Sequence, residues 1–431
     1  MQNVRAVILA GGKGTRLAEI SKGLPKPLVP INSEPILKHQ LNVLRRYGLR
    51  DVTIVIHHLG EAIRRRIGDG DDMGLRITYY EEIVPLGTTG ALYDMQSSLA
   101  EHTLVLYGDV MFDMDLSRFV RVHQQSGADI TVCAHPNDHP HDSDLLALSK
   151  DGRVTKVYPK PHAPDEWLRN MVNAGIYVAK KSAIAAFPKG KADFGRDVLP
   201  GLAGEMNVRA YVTSEYVKDV GTPERVKEAE RDLMSGKIAR LNRQTSRPAV
   251  FLDRDGVINE EVGHLYNIED FRLLPGAAQG IKLLNASDYL AIVATNQPVI
   301  ARGQLTEEGL GKIFAKMDTL LGREGARVDA VYYCPHHPDK GFPGENPAYK
   351  TDCDCRKPRT GMIAAAARDW NIDLKSSWFI GDSDRDIECG RNAGLRTIAI
   401  KSPRIKERRA DFECAGLTQA AGLILAGDRW T

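Results

Sequence analysis

The stretch RAVILAGGKGTRL, residues 5–17, takes a short apolar run directly into a glycine-rich turn. A buried strand that leads into a glycine-rich turn and a helix start can bring backbone N–H groups close to an anion. The stretch lacks the Gly-Lys-Ser/Thr ending of a Walker A loop and the third glycine of a dinucleotide fingerprint. Taken alone, it is compatible with a phosphate-binding loop and with a purely structural turn.

Outward from this stretch, short apolar runs alternate with longer helical patterns. A second series of the same kind begins with PAVFLDRDG at Pro248. Alternation of this kind predicts βαβ units with helices on both faces of a sheet. The stretch SGKIARLNRQTSRP, residues 235–248, is polar and basic and ends in a proline. We therefore predict an α/β chain with two Rossmann-like domains, residues 1–234 and 248–431, joined by a linker over 235–247. Each domain should contain a mainly parallel sheet flanked by helices.

The composition limits the classes of partner. The chain has 431 residues, more than one hydrophobic core usually organises. Its net charge of +2 gives no reason to expect nucleic acid or an anionic membrane as partner. Six cysteines are too few for a disulfide scaffold, and the apolar runs are too short for a signal peptide or a membrane span. We expect a cytoplasmic protein that binds neither nucleic acid nor membrane, and the oligomeric state stays unknown.

The next basic motif is GLPKPLVPI, in which Lys26 lies between two prolines that hold the chain extended. A GGxGTRL loop followed by this motif resembles the sugar-1-phosphate nucleotidyltransferases, and the resemblance extends to about residue 230. Further matching stretches are PLGTTGAL (85–92), YGDV (107–110), VNAGIYV (172–178) and VKDVGTPE (217–224). One departure is YPKP (158–161), where Pro159 replaces the acid of the family's common Glu-Lys-Pro.

The resemblance implies transfer of a nucleotidyl group from a nucleoside triphosphate to a sugar 1-phosphate. Both reactants are anions, so cations must neutralise them before they react. By resemblance, Asp109 and Asp219 hold Mg²⁺, while Lys26 and Arg16 stabilise charge at the reacting phosphorus. The resemblance also assigns the triphosphate loop to Gly11, Gly12, Gly14, Thr15 and Arg16, the base-recognition loop to Gly87 and Thr88, and sugar-phosphate contacts to Lys160 and Asn173. By itself, Asp109 is equally compatible with a turn at a strand end.

The second series opens with FLDRDGVIN, residues 251–259, where two aspartates stand two residues apart at a strand end. Both can reach one phosphate only if the chain turns at Gly256. The stretch resembles the haloacid dehalogenase phosphatases, whose further motifs follow in order. These motifs are Thr295 with Asn296, Lys357, and GDSDRD with Asp382. A surface turn is the alternative interpretation of DRDG, and it is disfavoured because all four motifs are present in order.

This second resemblance implies a covalent mechanism. Asp253 attacks phosphorus, and Asp255 protonates the leaving hydroxyl group and then deprotonates a water molecule. Mg²⁺ would be held by Asp253, Asp382 and the backbone carbonyl of Asp255. The phosphoryl oxygens would be held by Thr295, Asn296 and Lys357.

The stretch TDCDCRKP, residues 351–358, contains two cysteines that are too close in sequence for an unstrained disulfide. Upstream, YYCPHHP supplies another cysteine and two histidines. Two close pairs joined by a loop are typical of tetrahedral Zn²⁺ sites, with free thiols in a redox loop as the alternative. The pattern is similar to the zinc-loop branch of these phosphatases, which contains heptose bisphosphate and histidinol phosphatases. The similarity implies a structural zinc site formed by Cys334, His336, Cys353 and Cys355, with His337 outside it. Such a site would fix Arg356 and Lys357 against the substrate phosphate.

Two sites in one chain indicate consecutive reactions. We predict that D-glycero-D-manno-heptose 1,7-bisphosphate loses its 7-phosphate and that the resulting 1-phosphate receives a nucleotidyl group, with GTP favoured. One alternative is a hexose-1-phosphate nucleotidyltransferase fused to a histidinol-phosphatase-like enzyme. Another is a catalytically silent sugar-nucleotide sensor that regulates the phosphatase, which Lys26, Arg16, Asp109 and Asp219 disfavour. The anomer, the sugar and the nucleobase stay open.

Overall fold

The computed structural model describes residues 3–12, 23–341, 343–407 and 409–427. The chain divides into two compact units. The first unit comprises the residues up to 135 together with 143–160 and 171–242. The second comprises 136–142, 161–170 and the chain from 243 onwards.

The first unit is built on a nine-stranded mixed sheet and two short two-stranded sheets. Its strands are β1 Val4–Leu9, β2 Pro30–Ile31, β3 Glu34–Pro35, β4 Asp51–Ile56, β5 Arg76–Glu81, β6 His102–Tyr107, β7 Val110–Asp113, β8 Ile130–His135, β9 Leu145–Leu148, β10 Val154–Tyr158, β11 Val172–Lys180, β12 Val208–Val212 and β13 Tyr216–Asp219. The main path runs β10-β9-β11-β6-β1-β4-β5, and β8 pairs with β11 and β12. The strands β6, β1, β4 and β5 are parallel, whereas β11 is antiparallel to its neighbours. The predicted α/β class is therefore confirmed, with a mixed rather than mainly parallel sheet in this unit.

The helices of the first unit cover this sheet with their apolar faces. They are α1 Ile36–Arg46, α2 Gly60–Ile67, α3 Gly90–Asp94, α4 Leu116–Ser126, α5 Lys181–Ile184, α6 Leu199–Glu205, α7 Pro223–Met234 and α8 Lys237–Arg240. In α1, for example, Leu37, Leu41 and Leu44 recur at intervals of three or four residues and are fully buried.

The second unit has an entirely parallel six-stranded sheet in the order β16-β15-β14-β17-β18-β19. Its strands are β14 Ala249–Leu252, β15 Leu290–Asn296, β16 Ala330–Cys334, β17 Trp378–Gly381, β18 Arg396–Ile400 and β19 Phe412–Cys414. Its helices are α9 Ala277–Ala286, α10 Glu307–Arg323, α11 Gly361–Trp370, α12 Asp384–Asn392 and α13 Leu417–Gly427. The central strand β14 is buried at all four positions, as expected for a parallel strand covered on both faces.

The units differ from the predicted domains 1–234 and 248–431 at the predicted linker, residues 235–247. Helix α8 lies inside that stretch, and Ile238 and Leu241 are buried in the core of the first unit. The Nδ2 group of Asn242 donates to Tyr47 Oη at 2.9 Å. The polar composition of the stretch conceals this short amphipathic turn, so the first unit continues to residue 242.

Among the described residues, no helix combines the length and the apolar composition that crossing a bilayer requires.

Candidate active sites

The first site lies at the carboxyl ends of β1 and β6. Leu9 pairs with Tyr107 in parallel register, so the chain leaves both strands at the same edge of the sheet, and Asp109 follows β6 closely. Asp219 ends β13, which pairs with β7 directly after Asp109. The ammonium group of Lys26 contacts the Asp109 carboxylate and lies 3.6 Å from Asp219 Oδ1. The structure therefore brings these two acids together around one lysine.

The donor set of this site fits a divalent cation. Oxygens of Asp109 and Asp219 already face the single ammonium group of Lys26. Arg225 Nη1 donates to the other oxygen of Asp219 at 3.1 Å. Carboxylate oxygens are the ligands that Mg²⁺ prefers.

The glycine-rich loop is described as far as Gly12, and Gly14, Thr15 and Arg16 lie outside the described residues. A Cβ atom on Gly11 would lie 2.8 Å from Glu82 Oε2. Glycine at this position therefore lets the backbone pass close to that carboxylate.

Glu82 is a candidate site residue that the sequence prediction did not include. It is 6% exposed, burial raises the pKa of its carboxyl group, and the Leu86 N–H group donates to Oε1 at 3.2 Å. The carboxylate lies between Gly11 and the start of the PLGTTGAL stretch. In the sequence, the feature that could have indicated Glu82 is the acidic pair Glu81–Glu82 at the end of an apolar run. In the structure, β5 ends at the exposed Glu81, and the Glu82 side chain that follows is buried.

Gly87 and Thr88 form a tight turn against Ala192. Gly87 has a φ of +78°, and a Cβ atom there would lie 2.3 Å from the Ala192 carbonyl oxygen, so only glycine fits. The Thr88 hydroxyl donates to Asp193 Oδ2 at 3.2 Å and accepts from the Phe194 N–H group at 2.6 Å. The Thr88 side chain therefore fixes the turn, and the Thr88 N–H group donates to the Ala192 carbonyl at 3.0 Å.

Lys160 and Asn173 are held together by Asp144, another residue that the sequence prediction missed. The Lys160 N–H group donates to Asp144 Oδ1 at 3.1 Å, and the Asn173 N–H group donates to the Asp144 carbonyl at 3.1 Å. A Cβ atom on Gly195 would lie 3.3 Å from Asn173 Nδ2. These contacts bring the two predicted sugar-phosphate residues to one place.

The second site lies at the carboxyl ends of β14 and β17. Asp253 and Asp382 directly follow these two strands, which pair in parallel. Lys357 Nζ lies 2.9 Å from Asp253 Oδ1. The Lys357 N–H group donates to Asn296 Oδ1 at 3.0 Å, and Asn296 Nδ2 donates back to the Lys357 carbonyl at 3.1 Å. Asn296 therefore fixes the backbone that carries the lysine.

Asp386 completes this site and was not predicted. Its Oδ1 lies 2.6 Å from Lys357 Nζ, and its Oδ2 accepts from Ser383 N–H and Oγ at 3.1 and 2.6 Å. Burial would lower the pKa of Lys357, but the charges of Asp253 and Asp386 outweigh it and raise the pKa. The sequence feature that could have indicated Asp386 is its position four residues after Asp382. In the first turn of α12, a side chain at that position can point back toward the end of the strand.

The three buried acids also fit a divalent cation. Asp253, Asp382 and Asp386 can each present an oxygen within 4.8 Å of the others. Burial, together with the neighbouring acids, raises the pKa of Asp253 to about 6 and that of Asp382 to about 8. Asp382 Oδ1 has no hydrogen-bond partner among the described residues. A cation would relieve this repulsion and satisfy that oxygen.

The Asp255 carboxylate is gripped by three side chains. Arg254 Nη2 donates to both of its oxygens at 2.7 and 2.8 Å. Asn259 Nδ2 and Gln297 Nε2 each donate to it at 2.9 Å. Burial would raise the pKa of Asp255, but the charge of Arg254 and these hydrogen bonds outweigh it and lower the pKa. The group is therefore held as the carboxylate, the form that accepts a proton.

Two further predicted phosphate ligands differ in placement. Thr295 is 1% exposed, and its Oγ1 accepts from Gln297 Nε2 at 3.1 Å. The guanidinium of Arg356 donates from Nη1 to the His336 carbonyl at 3.0 Å. Arg356 thus braces the Cys/His loop, whereas the next residue, Lys357, points to Asp253.

The predicted cysteine and histidine quartet comes together. The Sγ atoms of Cys334 and Cys355 lie 3.5 and 3.3 Å from Cys353 Sγ, and His336 Nδ1 lies 3.7 and 3.3 Å from Cys334 and Cys355. Bonds of about 2.0–2.3 Å to a tetrahedral zinc ion separate ligand atoms by about 3.4–3.8 Å. A hydrogen bond from Cys334 lowers the pKa of Cys355 to about 5. The quartet therefore fits a closed metal site, and His337 is not part of the group.

Comparison with known proteins divides the chain in the same order. Residues 5–236 match the Nucleotidyl transferase family, and residues 354–415 match the HAD-hydrolase-like family. The chain is 31% identical over 237 residues to the mannose-1-phosphate guanylyltransferase of Mycobacterium tuberculosis, covering 54% of this chain and 65% of that protein.

Other relatives are phosphatases. The chain is 37% identical over 179 residues to the D-glycero-beta-D-manno-heptose-1,7-bisphosphate 7-phosphatase of Photorhabdus laumondii, covering 41% of this chain and 89% of that protein. It is 40% identical over 162 residues to the alpha-anomer 7-phosphatase of Burkholderia mallei, covering 38% of this chain and 84% of that protein. The chain is thus an enzyme with a nucleotidyltransferase activity and a phosphatase activity. It belongs to the nucleotidyl transferase family and, through its C-terminal part, to the family of the D-glycero-D-manno-heptose-1,7-bisphosphate 7-phosphatases.

Proposed function

We propose that this enzyme removes the 7-phosphate from D-glycero-D-manno-heptose 1,7-bisphosphate and then joins the resulting heptose 1-phosphate to a nucleotide, releasing pyrophosphate. The observation that carries the proposal is the similarity of the C-terminal part to two heptose bisphosphate phosphatases over more than four fifths of their lengths. Their reaction leaves a sugar 1-phosphate, which is the class of substrate that the N-terminal family activates. One of these relatives is named for the beta anomer and the other for the alpha anomer, so experiment must decide the anomer for this enzyme.

In the proposed phosphatase reaction, Asp253 attacks phosphorus and the bond to the sugar oxygen breaks. The buried ammonium group of Lys357 neutralises charge beside the nucleophile, 2.9 Å from its Oδ1 atom. Asp255, held as the carboxylate in the free enzyme, takes up the proton of a substrate that enters as its phosphate monoanion and gives it to the leaving oxygen. It then takes one from the water that cleaves the aspartyl phosphate. Mg²⁺ held by Asp253, Asp382 and the Asp255 carbonyl, with Asp386 beside it, would draw the substrate phosphate to the carboxylates.

In the proposed transferase reaction, a sugar phosphate oxygen attacks the α-phosphorus and pyrophosphate leaves. Lys26 lies at the two acids, where it can neutralise the phosphoryl group that passes between the reactants. Mg²⁺ on Asp109 and Asp219 would add positive charge at the same point. Lys160 and Asn173, both held by Asp144, are proposed to bind the sugar phosphate.

We also propose that the nucleotide is GTP, and Glu82 is the physical reason. Guanine presents two adjacent N–H donors on its Watson–Crick edge, and a carboxylate is an acceptor-only group that can bind both. Adenine and cytosine have a ring nitrogen acceptor there, and uracil flanks its one N–H group with two carbonyl oxygens. An ionised Glu82 between the glycine-rich loop and the PLGTTGAL stretch therefore favours guanine. The guanylyltransferase relative agrees with this choice.

The similarity to that relative also supports a second candidate for the sugar. At 31% identity over 237 residues, mannose 1-phosphate is an alternative acceptor for the N-terminal unit.

The quartet is proposed to hold zinc in a structural role. Its four ligand positions are filled by protein atoms, so no position is left for substrate. Cys355 lies two residues before Lys357, and the Arg356 side chain bonds the His336 carbonyl within the same loop. Zinc would thereby keep Lys357 directed at Asp253.

The substrate proposal is tested with purified full-length protein and Mg²⁺. Each heptose 1,7-bisphosphate anomer should release one equivalent of phosphate, and subsequent addition of GTP should release pyrophosphate. Mannose 1-phosphate with each nucleoside triphosphate is the comparison. Pyrophosphate release with mannose 1-phosphate alone would transfer the assignment to the second candidate. No release with any pair would support the sensor alternative.

The two-site proposal predicts that the activities can be separated. Asp253→Asn should lower phosphate release by about 10³-fold or more, because it removes the nucleophile, while pyrophosphate release stays within twofold of wild type. Asp109→Asn is the matched reciprocal variant and should affect only pyrophosphate release. The proposal is wrong if either variant lowers both activities equally.

The guanine proposal predicts a change of nucleotide preference in Glu82→Gln. The amide keeps only one acceptor oxygen for guanine, so kcat/KM for GTP should fall by about 10- to 100-fold. The amide can also donate to a carbonyl oxygen, so the preference for UTP or dTTP over GTP should rise. Glu81→Gln, on the neighbouring exposed acid, should leave the preference unchanged. Equal losses for all nucleotides in Glu82→Gln would contradict a role in base selection.

The zinc proposal predicts about one zinc ion per chain in protein prepared without chelator. Cys355→Ser should abolish zinc binding, speed proteolysis between residues 334 and 357, and lower phosphate release by about 10-fold or more, with pyrophosphate release unchanged. Cys414→Ser, at a buried cysteine outside the quartet, should keep its zinc. Elemental analysis that finds no zinc in the wild-type protein would exclude the proposal.

A further inference from the structure

Residues 161–170, here called the strap, lie within the nucleotidyl transferase match but belong by their contacts to the second unit. Thr319 of helix α10 bonds both backbone groups of Leu168: its Oγ1 accepts from the N–H group at 2.9 Å and donates to the carbonyl at 3.1 Å. Asp318 Oδ2 accepts from Arg169 Nε at 2.6 Å and from the Asn170 N–H group at 3.2 Å. Two successive helix residues therefore hold three successive strap residues.

Further contacts fix the rest of the strap. The Trp167 ring has Lys316 Nζ 5.3 Å and Arg323 Cζ 5.1 Å from its centroid, on the same helix. Arg323 Nη2 also donates to the Pro164 carbonyl at 2.5 Å. The helix therefore presents cations to the Trp167 ring and the Pro164 carbonyl, and an acid to Arg169.

The buried carboxylate of Asp318 favours the attachment of the strap to helix α10. Its side chain is 3% exposed and forms an ion pair with Arg169. A buried carboxylate is costly unless it is paired, so the strap supplies what the helix acid requires. Neither Asp318 nor Thr319 has a role in the proposed phosphatase chemistry.

The strap is flanked by the residues proposed to bind the sugar phosphate. Lys160 directly precedes it in the chain, and Asn173 follows Asn170 by three residues. A second segment of the same unit, 136–142, is tied to the strap by the Asn137 N–H group, which donates to Asn170 Oδ1 at 3.1 Å. Asp144, which holds Lys160 and Asn173, stands two residues beyond that segment.

We propose that helix α10, through the strap, positions the sugar-phosphate residues of the transferase site, an inference that rests on the proposed roles of Lys160 and Asn173. Because the strap joins Lys160 to Asn173 along the chain, holding residues 164–170 on the helix limits the conformations open to the flanking residues, and less conformational entropy is lost when they bind an anion. Gly11 and Glu82, on the nucleotide side of the site, lie far from the strap along the chain. The strap therefore acts on affinity for the sugar 1-phosphate and not on affinity for the nucleotide.

The test uses the full-length protein with Trp167→Ala combined with Thr319→Val, which removes the ring and both Leu168 bonds. The KM for the sugar 1-phosphate should rise about 5- to 20-fold, while the KM for the nucleotide and the kcat/KM of the phosphatase stay within twofold of wild type. Amide hydrogen exchange over residues 158–173 should become faster. Lys312→Ala, on the exposed side of the same helix, is the control and should change none of these values.

Lys160→Ala separates the failure of this proposal from failure of the proposed function. If Lys160→Ala raises the KM for the sugar 1-phosphate and the double variant does not, the strap proposal is overturned. If Lys160→Ala leaves that KM unchanged, the sugar-phosphate assignment itself fails. Equal losses of sugar affinity, nucleotide affinity and phosphatase activity in the double variant would mean general destabilisation and would also overturn the strap proposal.

Discussion

Both sites gather carboxylates where phosphate anions approach, and in each a lysine lies among the acids and offsets part of their repulsion. Lys26 contacts Asp109 and approaches Asp219, and Lys357 lies between Asp253 and Asp386. In the second site the charge of Lys357 acts to lower the pKa of Asp253, against the burial and the neighbouring acids that raise it. The position of each lysine is therefore the feature on which the rest of each site depends.

The two units position these lysines in different ways. Lys26 begins a 3-10 turn between Pro25 and Pro27, so local backbone restriction sets its direction. Lys357 is followed by Pro358, and its backbone is also held from outside by the amide of Asn296 and by the loop that carries the cysteine quartet. This difference agrees with a structural zinc site proposed for the second unit alone, where the buried lysine follows a long loop that has little regular structure of its own.

Much of each site follows from the sequence because parallel strands end at one edge of a sheet. The resemblance to the haloacid dehalogenase phosphatases predicts that Asp253 and Asp382, each after a short apolar run, come together, and the resemblance to their zinc-loop branch predicts the quartet. Asp386, Glu82 and Asp144 were missed because their direction depends on a helix cap, a strand end and a loop that no periodicity reports. The assignment of residues 161–170 to the second unit was missed for a related reason. It depends on contacts between residues far apart in sequence, which a local pattern does not encode.

The buried acids of the two units show how a buried carboxylate can serve different roles. Glu82 is buried and, among the described residues, accepts from the Leu86 N–H group on Oε1, which suits the proposed binding of a ligand that brings N–H groups. Asp255 is buried with donors from Arg254, Asn259 and Gln297, so its charge is already satisfied and it is held ready to take a proton. Asp318 is buried with its charge met by Arg169. Burying a carboxylate is costly in all three places, and the donors around each acid decide the consequence. Glu82 is proposed to select a ligand, Asp255 is held in one protonation state, and Asp318 fixes a segment of the chain.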